Sequence, residues 1–481
     1  MSTEHFDILI VGAGLSGIGM ACHVTRECPG KTFAILEGRA AMGGTWDLFR
    51  YPGIRSDSDM FTLGYKFKPW KKSNGIADGS DIRQYITDAA AEHNVTDKIR
   101  FNHKVKSANW DSESSLWQVT AEVNGELRTF TSSYMVGCTG YYNYDEGFTP
   151  HFEGRDDFKG TLVHPQHWPE GLDYKDKKVV VIGSGATAVT LIPSMAKEVS
   201  KITMLQRSPT YIIPMPLEDH VAIGLRKFLP EKVVYTLVRM RNLFLTYTFF
   251  NYCRRFPAKA RSMIFHLNRK FLPEGFDMTH FTPKYNPWDE RLCVVPNGDL
   301  YKSIRKGKAE VVTDHIDRFV ENGILLKSGE VLEADIIITA TGLNIQLLGK
   351  VNITIDGQPF DITDKMSYRG VMFEGIPNAA MIFGYTNASW TLKADLIAEY
   401  FCGLIKYMDK KGYKSVIPVN DNPAMAKKSF LDLSSGYVSR ARDQLPLQGE
   451  EGPWKLNQSY VKDWLSMKLS SFGAKELTYD K

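Results

Sequence analysis

A glycine-rich turn near the start of the chain has the spacing that cradles the phosphates of a dinucleotide. Gly12-x-Gly14-x-x-Gly17 follows the apolar run 6–11 and precedes an Ala- and Met-rich segment, and the next apolar run, "TFAILEG", ends in Glu37. This order predicts a strand, a tight turn and a helix whose N-terminus faces a pyrophosphate. A carboxylate at the position of Glu37 binds a ribose diol and repels a 2'-phosphate, so this unit favours FAD or NAD.

A second turn repeats the pattern with a different ending. Gly183-x-Gly185-x-x-Ala188 follows an apolar run, and the next one, "KITMLQRSP", places Arg207 and Ser208 where the first unit has its carboxylate. An arginine and a hydroxyl at this place can bind a 2'-phosphate. The two units together predict FAD in the first and NADPH in the second. The alternative for Arg207 is a solvated charge at the end of a strand.

The segment "GGTWDLFRYPGIRSDSD", residues 43–59, predicts a second wall of the cofactor site. Its two glycines permit close backbone approach, Trp46 offers a planar surface, and Arg55 and Asp57 place opposite charges two residues apart. For Trp46 alone, ordinary core packing is the alternative. The predicted cofactor-binding residues are Gly12, Gly14, Ser16, Gly17, Glu37, Gly44, Thr45, Trp46, Asp47, Leu48, Arg55, Ser56, Asp57, Val105, Gly183, Ser184, Gly185, Ala186, Thr187, Ala188, Val189, Arg207 and Ser208.

Composition limits the remaining classes of function. The chain has 481 residues, of which 43% are hydrophobic and 24% charged, and this predicts a globular protein of two or three domains. A net charge of +4 predicts no nucleic-acid partner. The six cysteines form no CxxC pair and no metal-ligand cluster, so we expect buried free thiols, no metal and a cytoplasmic location. The N-terminal residues run straight into a strand, which predicts no signal peptide.

The two turns and the segments between them predict an α/β fold with two Rossmann-like domains. Residues 100–142 alternate apolar and polar side chains, which indicates an antiparallel meander that ends at Cys138-Thr139-Gly140. A second strand, which ends at Thr341-Gly342, marks the point where the chain returns from the second domain to the first. The predicted boundaries are 1–145 for the FAD domain, completed by about 343–481, then 146–176 for a linker, 177–214 with 276–342 for the NADP domain, and 215–275 for a helical insert.

The insert has an unusual charge balance. Residues 226–271 carry eleven Lys and Arg and one acidic residue, interleaved with Leu, Phe, Tyr and Met. The longest uncharged run, 242–253, is too short to cross a bilayer, which needs roughly 20 residues. Three hypotheses stay open: a helical cover over a substrate tunnel, a basic amphipathic surface that touches an anionic membrane, or solvated structure only.

The linker carries a motif that identifies a family. "FKGTLVHPQHWPEG", residues 158–171, is too rich in Pro and His to predict a regular strand or helix. It places Phe158, Gly160, His164, Trp168 and Pro169 at the offsets F-x-G-x-x-x-H-x-x-x-W-P/D. With the two nucleotide units, this motif resembles the fingerprint of the type I Baeyer-Villiger monooxygenases. Stretches such as "GGTWDLFRYPGIRSDSDM" and "YTNASWTLKADL" look most like the branch that includes the bacterial ethionamide-activating monooxygenase.

The resemblance implies an activity. In this family NADPH reduces FAD, and a C4a-peroxyflavin then inserts one oxygen atom from O2 beside a ketone carbonyl to give an ester or lactone. The resemblance places the essential arginine at Arg291 in "WDERLC", with Asp57 orienting it, and makes His164 a structural relay between the domains. It implies a small apolar ketone or sulfide as substrate, with sulfoxidation as a side activity. Without the resemblance, a surface salt bridge to Asp289 or Glu290 is the default for Arg291.

Three other functions remain as alternatives. An N- or S-oxygenating flavin monooxygenase would share the fold and cofactors but differs in the ending of the linker motif. A disulfide oxidoreductase needs a cysteine pair that the sequence does not provide. A non-catalytic flavoprotein that senses NADPH or docks to membranes would oxidise NADPH without an oxygenated product. The ketone or sulfide and the oligomeric state do not follow from the sequence.

Overall fold

The computed structural model describes residues 3–431 and 436–481. The helices of this part of the chain are α1 (Leu15–Glu27), α2 (Thr45–Leu48), α3 (Met60–Leu63), α4 (Gly79–Glu92), α5 (Ala186–Met195), α6 (His220–Leu225), α7 (Glu231–Arg255), α8 (Pro257–Arg269), α9 (Asp299–Arg305), α10 (Trp390–Lys411), α11 (Gly436–Ala441) and α12 (Tyr460–Lys468).

The strands of the first half are β1 (Glu4–Val11), β2 (Phe33–Leu36), β3 (Ile99–Arg100), β4 (His103–Asp111), β5 (Leu116–Val123), β6 (Glu126–Gly137), β7 (Tyr142–Gly147), β8 (Thr161–Val163), β9 (Lys178–Ile182), β10 (Lys201–Gln206) and β11 (Ile212–Met215). Those of the second half are β12 (Cys293–Pro296), β13 (Ala309–Thr313), β14 (Ile316–Val320), β15 (Gly323–Leu326), β16 (Val331–Glu333), β17 (Ile336–Thr339), β18 (Leu343–Ile345), β19 (Asn352–Ile355), β20 (Gln358–Pro359), β21 (Ser367–Tyr368), β22 (Met372–Phe373), β23 (Ala379–Met381), β24 (Ser415–Pro418), β25 (Lys427–Ser429), β26 (Leu447–Gly449) and β27 (Leu477–Asp480).

The first nucleotide unit is built on a sheet with the order β20-β19-β4-β5-β6-β1-β2-β3, with β23 also paired to β6. Its central strand β1 is parallel to β2 and β6, and the buried ends of β1 and β2 are runs of apolar residues, as is typical of strands covered on both faces. The predicted meander forms β4, β5 and β6, which pair antiparallel. Strands β19 and β23 come from beyond residue 343, so the C-terminal part of the chain contributes to this sheet.

The second unit is a parallel sheet with the order β13-β10-β9-β17-β8. With the first sheet it confirms the predicted α/β fold of two Rossmann-like units. The prediction that residues 158–171 contain no regular strand or helix is wrong, because Thr161–Val163 pairs with β17 and Pro165–His167 forms one turn of 3₁₀-helix. An edge strand needs a partner on only one side, so Pro165, two residues after the end of this strand, breaks no second ladder.

Two connections join the units, and they pair with each other. The outgoing strand β7 runs antiparallel to the returning strand β18. The Phe148 N–H donates to the Gly342 carbonyl over 3.0 Å, and the Thr341 hydroxyl donates to the Phe148 carbonyl over 2.6 Å. The chain therefore crosses between the units as a two-stranded ribbon, which constrains their relative position more than two separate loops would.

The insert consists of α6, α7 and α8, and a buried arginine fastens it to the first unit. Arg239 on α7 donates through Nη1 to the carbonyls of Phe61 at 2.7 Å and Gly64 at 2.8 Å, and its side chain is 9% exposed. These acceptors lie at the end of α3, where helix carbonyls lack intrahelical donors. Among the helices of the described chain, none combines the length and the apolar character that a bilayer crossing requires.

Candidate active site

A cavity of about 290 Å³ lies where the two units meet. Three helices of eight or more residues begin at it: α1, α5 and α10, none of which has a side-chain cap hydrogen bond at its N-terminus. Uncapped helix N-termini present free N–H groups and partial positive charge, which suits phosphate-bearing ligands. The lining residues are Gly14, Leu15, Ser16, Gly43, Gly44, Thr45, Trp46, Phe49, Tyr51, Ile54, Arg55, Ser56, Asp57, Leu63, Cys138, Gly140, Tyr141, Tyr142, Tyr144, Ala186, Thr187, Thr190, Arg291, Val294, Leu343 and Trp390.

The first glycine turn leaves no room for side chains. Gly12 has φ +104°, and a Cβ on it would lie 2.6 Å from the Cys138 carbonyl oxygen. A Cβ on Gly17 would lie 1.8 Å from the Gly12 carbonyl oxygen, so α1 packs directly on the turn. Gly44, with φ +57°, brings its own backbone against Gly14, where a Cβ would lie 3.0 Å from the Gly14 Cα. Two backbone segments therefore form a narrow cradle that fits a pyrophosphate.

The carboxylate predicted to bind a ribose lies beside this cradle. Glu37 accepts the Ala13 N–H at 2.6 Å and the Arg39 N–H at 2.9 Å, and it is 7% exposed. Burial raises the pKa of Glu37 above its usual value. Val105 is 6% exposed on β4 and does not line the cavity; two residues before it, the His103 N–H donates to the Glu37 carbonyl. A ribose held by Glu37 would lie close to these two strand ends.

Some residues of the second predicted wall line the cavity, and others pack in the core. Thr45 and Trp46 line the cavity, and the Thr45 hydroxyl bonds Tyr144 Oη at 3.2 Å. Leu48 packs against the core of the second unit instead. Asp47 is buried and engaged, since its carboxylate contacts the guanidinium groups of three arginines, Arg39 at 2.8 Å, Arg50 at 2.7 Å and Arg83 at 3.1 Å. In this arrangement Asp47 orients arginines at the rim of the site.

The loop with Arg55, Ser56 and Asp57 also lines the cavity, and its arginine has a partner that the sequence did not reveal. Arg55 Nη1 donates to Asp299 Oδ2 at 2.5 Å, and Asp299 is the first residue of α9 in the second unit. Ser56 is 3% exposed and donates to the Ser58 carbonyl at 2.7 Å. The ion pair between Arg55 and Asp299 therefore ties this loop across the boundary between the units.

Arg291 contributes a positive charge to the cavity. Its Nε donates to the Thr386 carbonyl at 3.1 Å, so a residue of the second unit is held by a loop of the first. The pKa of the Arg291 guanidinium is raised, first by Tyr141 and then by Tyr437, Tyr142 and Asp57, and together they outweigh burial. A surface salt bridge with its neighbour Asp289 is not what holds Arg291, because it lines the cavity while Asp289 pairs with Arg254.

Asp57 acts on Arg291 through its charge and not through a direct ion pair. Both residues line the cavity and the charge of Asp57 helps to raise the pKa of Arg291. Within residues 3–431 and 436–481, however, their charged atoms form no ion pair within 4.0 Å. Arg291 donates its orienting hydrogen bond to the Thr386 carbonyl, a backbone group that no sequence motif marks.

An aromatic cluster beside Arg291 is a further feature of the cavity that the sequence motifs did not predict. The Tyr141 and Tyr142 hydroxyls are 2.7 Å apart, and the Tyr141 ring stacks on Trp390 with centroids 5.3 Å apart. Trp390 Nε1 donates to Ser16 Oγ at 2.7 Å, which links the starts of α10 and α1. The two tyrosines lie four and five residues after the end of β6, at the start of β7, and the carboxyl ends of parallel strands are where α/β sheets bind ligands. That position is the signal that could have identified them.

The second turn is more open than the first. A Cβ on Gly183, with φ +135°, would lie 2.3 Å from the Ala340 carbonyl oxygen, whereas one on Gly185 would meet nothing within 4 Å. Ala186 and Thr187 at the start of α5 line the cavity, while Ala188 and Val189 are buried in the core. The Ser184 hydroxyl donates to the Ser208 carbonyl at 3.1 Å. The turn is thus formed, with open space over Gly185 for a ligand.

Arg207 lies outside the cavity. It is exposed just after the end of β10, as is Ser208. Burial raises the pKa of Glu290, and the charge of Arg207 opposes this shift. The two side chains are therefore close enough to interact. The structure thus places Arg207 at the surface near Glu290 and outside the cavity.

The linker motif packs the second unit onto the connecting ribbon. Phe158 is buried against Phe319, and a Cβ on Gly160 would lie 2.4 Å from the Asp335 carbonyl oxygen. His164 lies against Gly147 of β7 so closely that a Cβ there would be 2.0 Å from its Cε1, and burial lowers the pKa of His164. Trp168 packs on the core of the second unit and Pro169 is exposed. None of the five lines the cavity.

Comparisons with known proteins agree with this architecture. Residues 71–348 match the family described as flavin-binding monooxygenase-like, and residues 10–69 match an NAD(P)-binding Rossmann-like domain. The chain belongs to the flavin-binding monooxygenase-like family.

Relatives within this family cover nearly the whole chain. The FAD-containing monooxygenase EthA of Mycobacterium tuberculosis is 53% identical over 463 residues, which are 96% of this chain and 95% of that protein. The probable FAD-binding monooxygenase AlmA of Acinetobacter baylyi is 50% identical over 481 residues, with 99% and 97% covered. The structure of oxidised steroid monooxygenase bound to NADP has the same fold, with a TM-score of 0.80, 22% identity, and 99% and 100% of the chains covered. The relationship that the motifs indicated is confirmed, and the chain is a flavin-dependent monooxygenase.

Proposed function

We propose that this monooxygenase inserts one oxygen atom beside the carbonyl of an apolar ketone. The balanced reaction is ketone, O2, NADPH and a proton giving ester or lactone, water and NADP. The observation that carries the proposal is Arg291, a guanidinium that lines the cavity and is held through a single nitrogen by the Thr386 carbonyl. In the part of the chain that the structure describes, no hydrogen bond occupies its other N–H groups, which leaves them available to a substrate oxygen.

The first unit fits FAD and the second fits NADPH. The cradle of Gly12, Gly14 and Gly44 excludes side chains, and the buried Glu37 lies beside it, as a diphosphate joined to an unphosphorylated ribose requires. The open space over Gly185, with Arg207 nearby, suits a nucleotide with a 2'-phosphate. When bound, the two cofactors supply the electrons and activate O2.

The role of Arg291 follows from its chemistry. When a ketone carbon is attacked, negative charge develops on its oxygen, and a fixed cation in a water-poor cavity stabilises that charge. Its raised pKa keeps Arg291 protonated at every working pH. Tyr141 and Trp390 pack beside it as a stacked pair, which limits the directions in which the guanidinium can swing. Removing one donor of this kind costs roughly 100- to 1,000-fold in kcat.

A paired assay with a ketone and a thioether tests this function. We expect ester from the ketone, with sulfoxide from the thioether as a side product, and loss of the ester at least 100-fold on Arg291→Ala. Arg254→Ala is the matched control, because Arg254 is an exposed arginine paired with Asp289. Sulfoxide or N-oxide without any ester from wild type would instead identify an N- or S-oxygenating enzyme. NADPH oxidation without oxygenated product from either substrate would indicate a non-catalytic flavoprotein.

A second proposal concerns the insert, which we infer contacts an anionic membrane. Val233, Leu237, Met240, Phe244 and Tyr247 follow one another at spacings of four and three residues along α7, and each is at least 43% exposed. The exposed Lys232 precedes this stripe on α7, and the exposed Arg254 and Arg255 follow it at the end of the same helix. An exposed apolar stripe with basic flanks binds anionic bilayers by burying apolar area and by charge attraction. No residue of 215–275 lines the cavity, so the tunnel-cover hypothesis gains no support.

Vesicle flotation tests the membrane contact. Wild type is expected to float with vesicles that contain phosphatidylglycerol and not to float with vesicles of pure phosphatidylcholine. Phe244→Glu should abolish the flotation with phosphatidylglycerol. Leu127→Glu is the control, since Leu127 is 69% exposed on β6, outside the insert. Equal flotation of wild type and Phe244→Glu would exclude this surface. Dimerisation that Phe244→Glu abolishes, without flotation of wild type, would assign the stripe to a second copy of the chain.

A further inference from the structure

The loop that holds Arg291 is itself held by a segment near the C-terminus. The Thr386 carbonyl accepts Arg291 Nε, while the N–H and the hydroxyl of Thr386 both donate to Gln458 Oε1, at 3.3 Å and 3.2 Å. The next residue, Asn387, donates through Nδ2 to the Gln458 carbonyl at 3.0 Å. Gln458 therefore accepts three hydrogen bonds from the two residues whose backbone presents the acceptor of Arg291.

The segment around Gln458 is fixed in turn by a buried charge cluster. Asp463, 6% exposed, accepts Lys393 Nζ and the Tyr385 hydroxyl, both at 2.7 Å, and Asn457 Nδ2 at 3.3 Å. Tyr385 precedes the Thr386 loop and Asn457 precedes Gln458, so the cluster binds both segments at neighbouring positions. A buried pair of opposite charges is costly to break, because removing one partner leaves the other charge unpaired.

The backbone of Gln458 carries strain that its contacts must offset. Its φ is +43°, a left-handed conformation that residues with a side chain rarely adopt. Such conformations persist where surrounding contacts determine them, and they cluster at functional sites. The three hydrogen bonds to the Thr386 loop are the contacts that Gln458 itself provides.

We propose that Gln458 is a positioning residue that sets the direction of the Arg291 guanidinium by fixing the Thr386 carbonyl. A glutamine suits this task because its amide oxygen accepts both donors of Thr386 while its backbone carbonyl accepts the Asn387 side chain, so the residues on both sides of the Thr386 carbonyl are held. With both residues held, the Thr386 carbonyl accepts Arg291 Nε and leaves the other guanidinium nitrogens toward the cavity. The inference rests on the proposed role of Arg291.

Two substitutions separate this role from general packing. Gln458→Leu keeps most of the side-chain volume and removes the acceptor, whereas Gln458→Glu keeps acceptor oxygens at the same place. Gln444→Leu is the matched control, because Gln444 is an exposed glutamine in the same C-terminal region. We expect Gln458→Leu to lower kcat for ester formation about tenfold, the effect of losing two neutral hydrogen bonds, with KM for NADPH unchanged. Gln458→Glu should retain most of the wild-type kcat.

A chemical readout follows the position of Arg291 without any turnover. Phenylglyoxal modifies guanidinium groups, and the rate at each arginine is read by mass spectrometry of the resulting peptides. In Gln458→Leu we expect Arg291 to be modified several-fold faster than in wild type, with the exposed Arg254 unchanged as an internal reference. Gln458→Glu should restore the slow rate. An Arg291 rate in Gln458→Leu equal to that of wild type would overturn the inference.

A double-mutant cycle identifies the path of the effect. If Gln458 acts through Arg291, Gln458→Leu has no further effect on NADPH-dependent oxygenation in the Arg291→Ala background. The same tenfold loss in both backgrounds would overturn the positioning role. Failure of the proposed function is seen separately, since it leaves wild type without ester while the phenylglyoxal rates at Arg291 still respond to Gln458.

Discussion

His23 makes the stability of this protein depend on pH in a predictable direction. It is 2% exposed on α1, with Nδ1 3.0 Å from Glu27 and Nε2 3.2 Å from Asp395 on α10. Burial alone would lower the pKa of His23, but the hydrogen bonds to Asp395 and Glu27 outweigh it and raise the pKa to about 9 from an ordinary value of 6.5. The folded protein therefore binds this proton more tightly than the unfolded chain does.

The size of the stability change, and the pH range over which it occurs, follow from these two pKa values. The difference between pKa values of about 9 and 6.5, at about 1.4 kcal/mol for each tenfold change in proton affinity, corresponds to roughly 3 to 3.5 kcal/mol. Because the pKa is raised on folding, this contribution is complete below pH 6.5 and is lost as the pH rises through about 9. For 481 residues, with about 2 cal/mol/K of unfolding entropy per residue, 3 kcal/mol corresponds to a Tm change of about 3 °C.

The assay compares wild type with His23→Gln by thermal unfolding at pH 6 and pH 10. We expect the Tm advantage of wild type over His23→Gln to fall by about 3 °C between these values. His151→Gln is the control, because His151 is 88% exposed, and its Tm should follow that of wild type at both pH values. If wild type and His23→Gln lose the same Tm between pH 6 and pH 10, His23 is not charged in the folded protein.

Three further predictions follow from the geometry of the site. Gly17→Ala places a Cβ 1.8 Å from the Gly12 carbonyl oxygen, so we expect protein purified without flavin absorbance, while Gly30→Ala, with nothing within 4 Å, should stay yellow. Arg207→Ala should raise KM for NADPH about 10- to 100-fold, because it removes a charge-assisted hydrogen bond to the 2'-phosphate, and should leave KM for NADH unchanged. Equal changes in the two KM values would show that Arg207 does not bind the 2'-phosphate. His164→Ala should lower the product formed per NADPH oxidised without slowing NADPH oxidation, because His164 packs on the ribbon and not in the cavity. Loss of flavin reduction by NADPH in this variant would contradict that role.

Local patterns were sufficient to predict much of the fold. Each glycine turn lies in one short segment, where the apolar strand, the turn and the helix follow within about twenty residues, so the two Rossmann-like units could be read from the sequence. The antiparallel meander was equally local, since alternation and turn residues determine it. The edge strand β8 escaped prediction because it forms only against β17, which lies far along the chain.

The candidate site was predictable only where its residues belong to a motif. Arg291 and the loop 55–57 were identified in this way, and the structure brings them to one cavity. Thr386, Asp299 and Gln458 carry no local signal, because each acts on a residue about 70 to 245 positions away through one or two hydrogen bonds. The contribution of a backbone carbonyl, as at Thr386, leaves no trace in the residue type at all.

Two of these long-range contacts cross between the two nucleotide units. Arg291 comes from the second unit and its acceptor Thr386 from the first, while Arg55 of the first unit pairs with Asp299 of the second. A rotation of one unit against the other would break both contacts and withdraw the cation from the cavity. The ribbon of β7 and β18, on which His164 packs, is the element that would bend in such a rotation. Under the role proposed for Arg291, its charge is therefore in place only while the two units are docked.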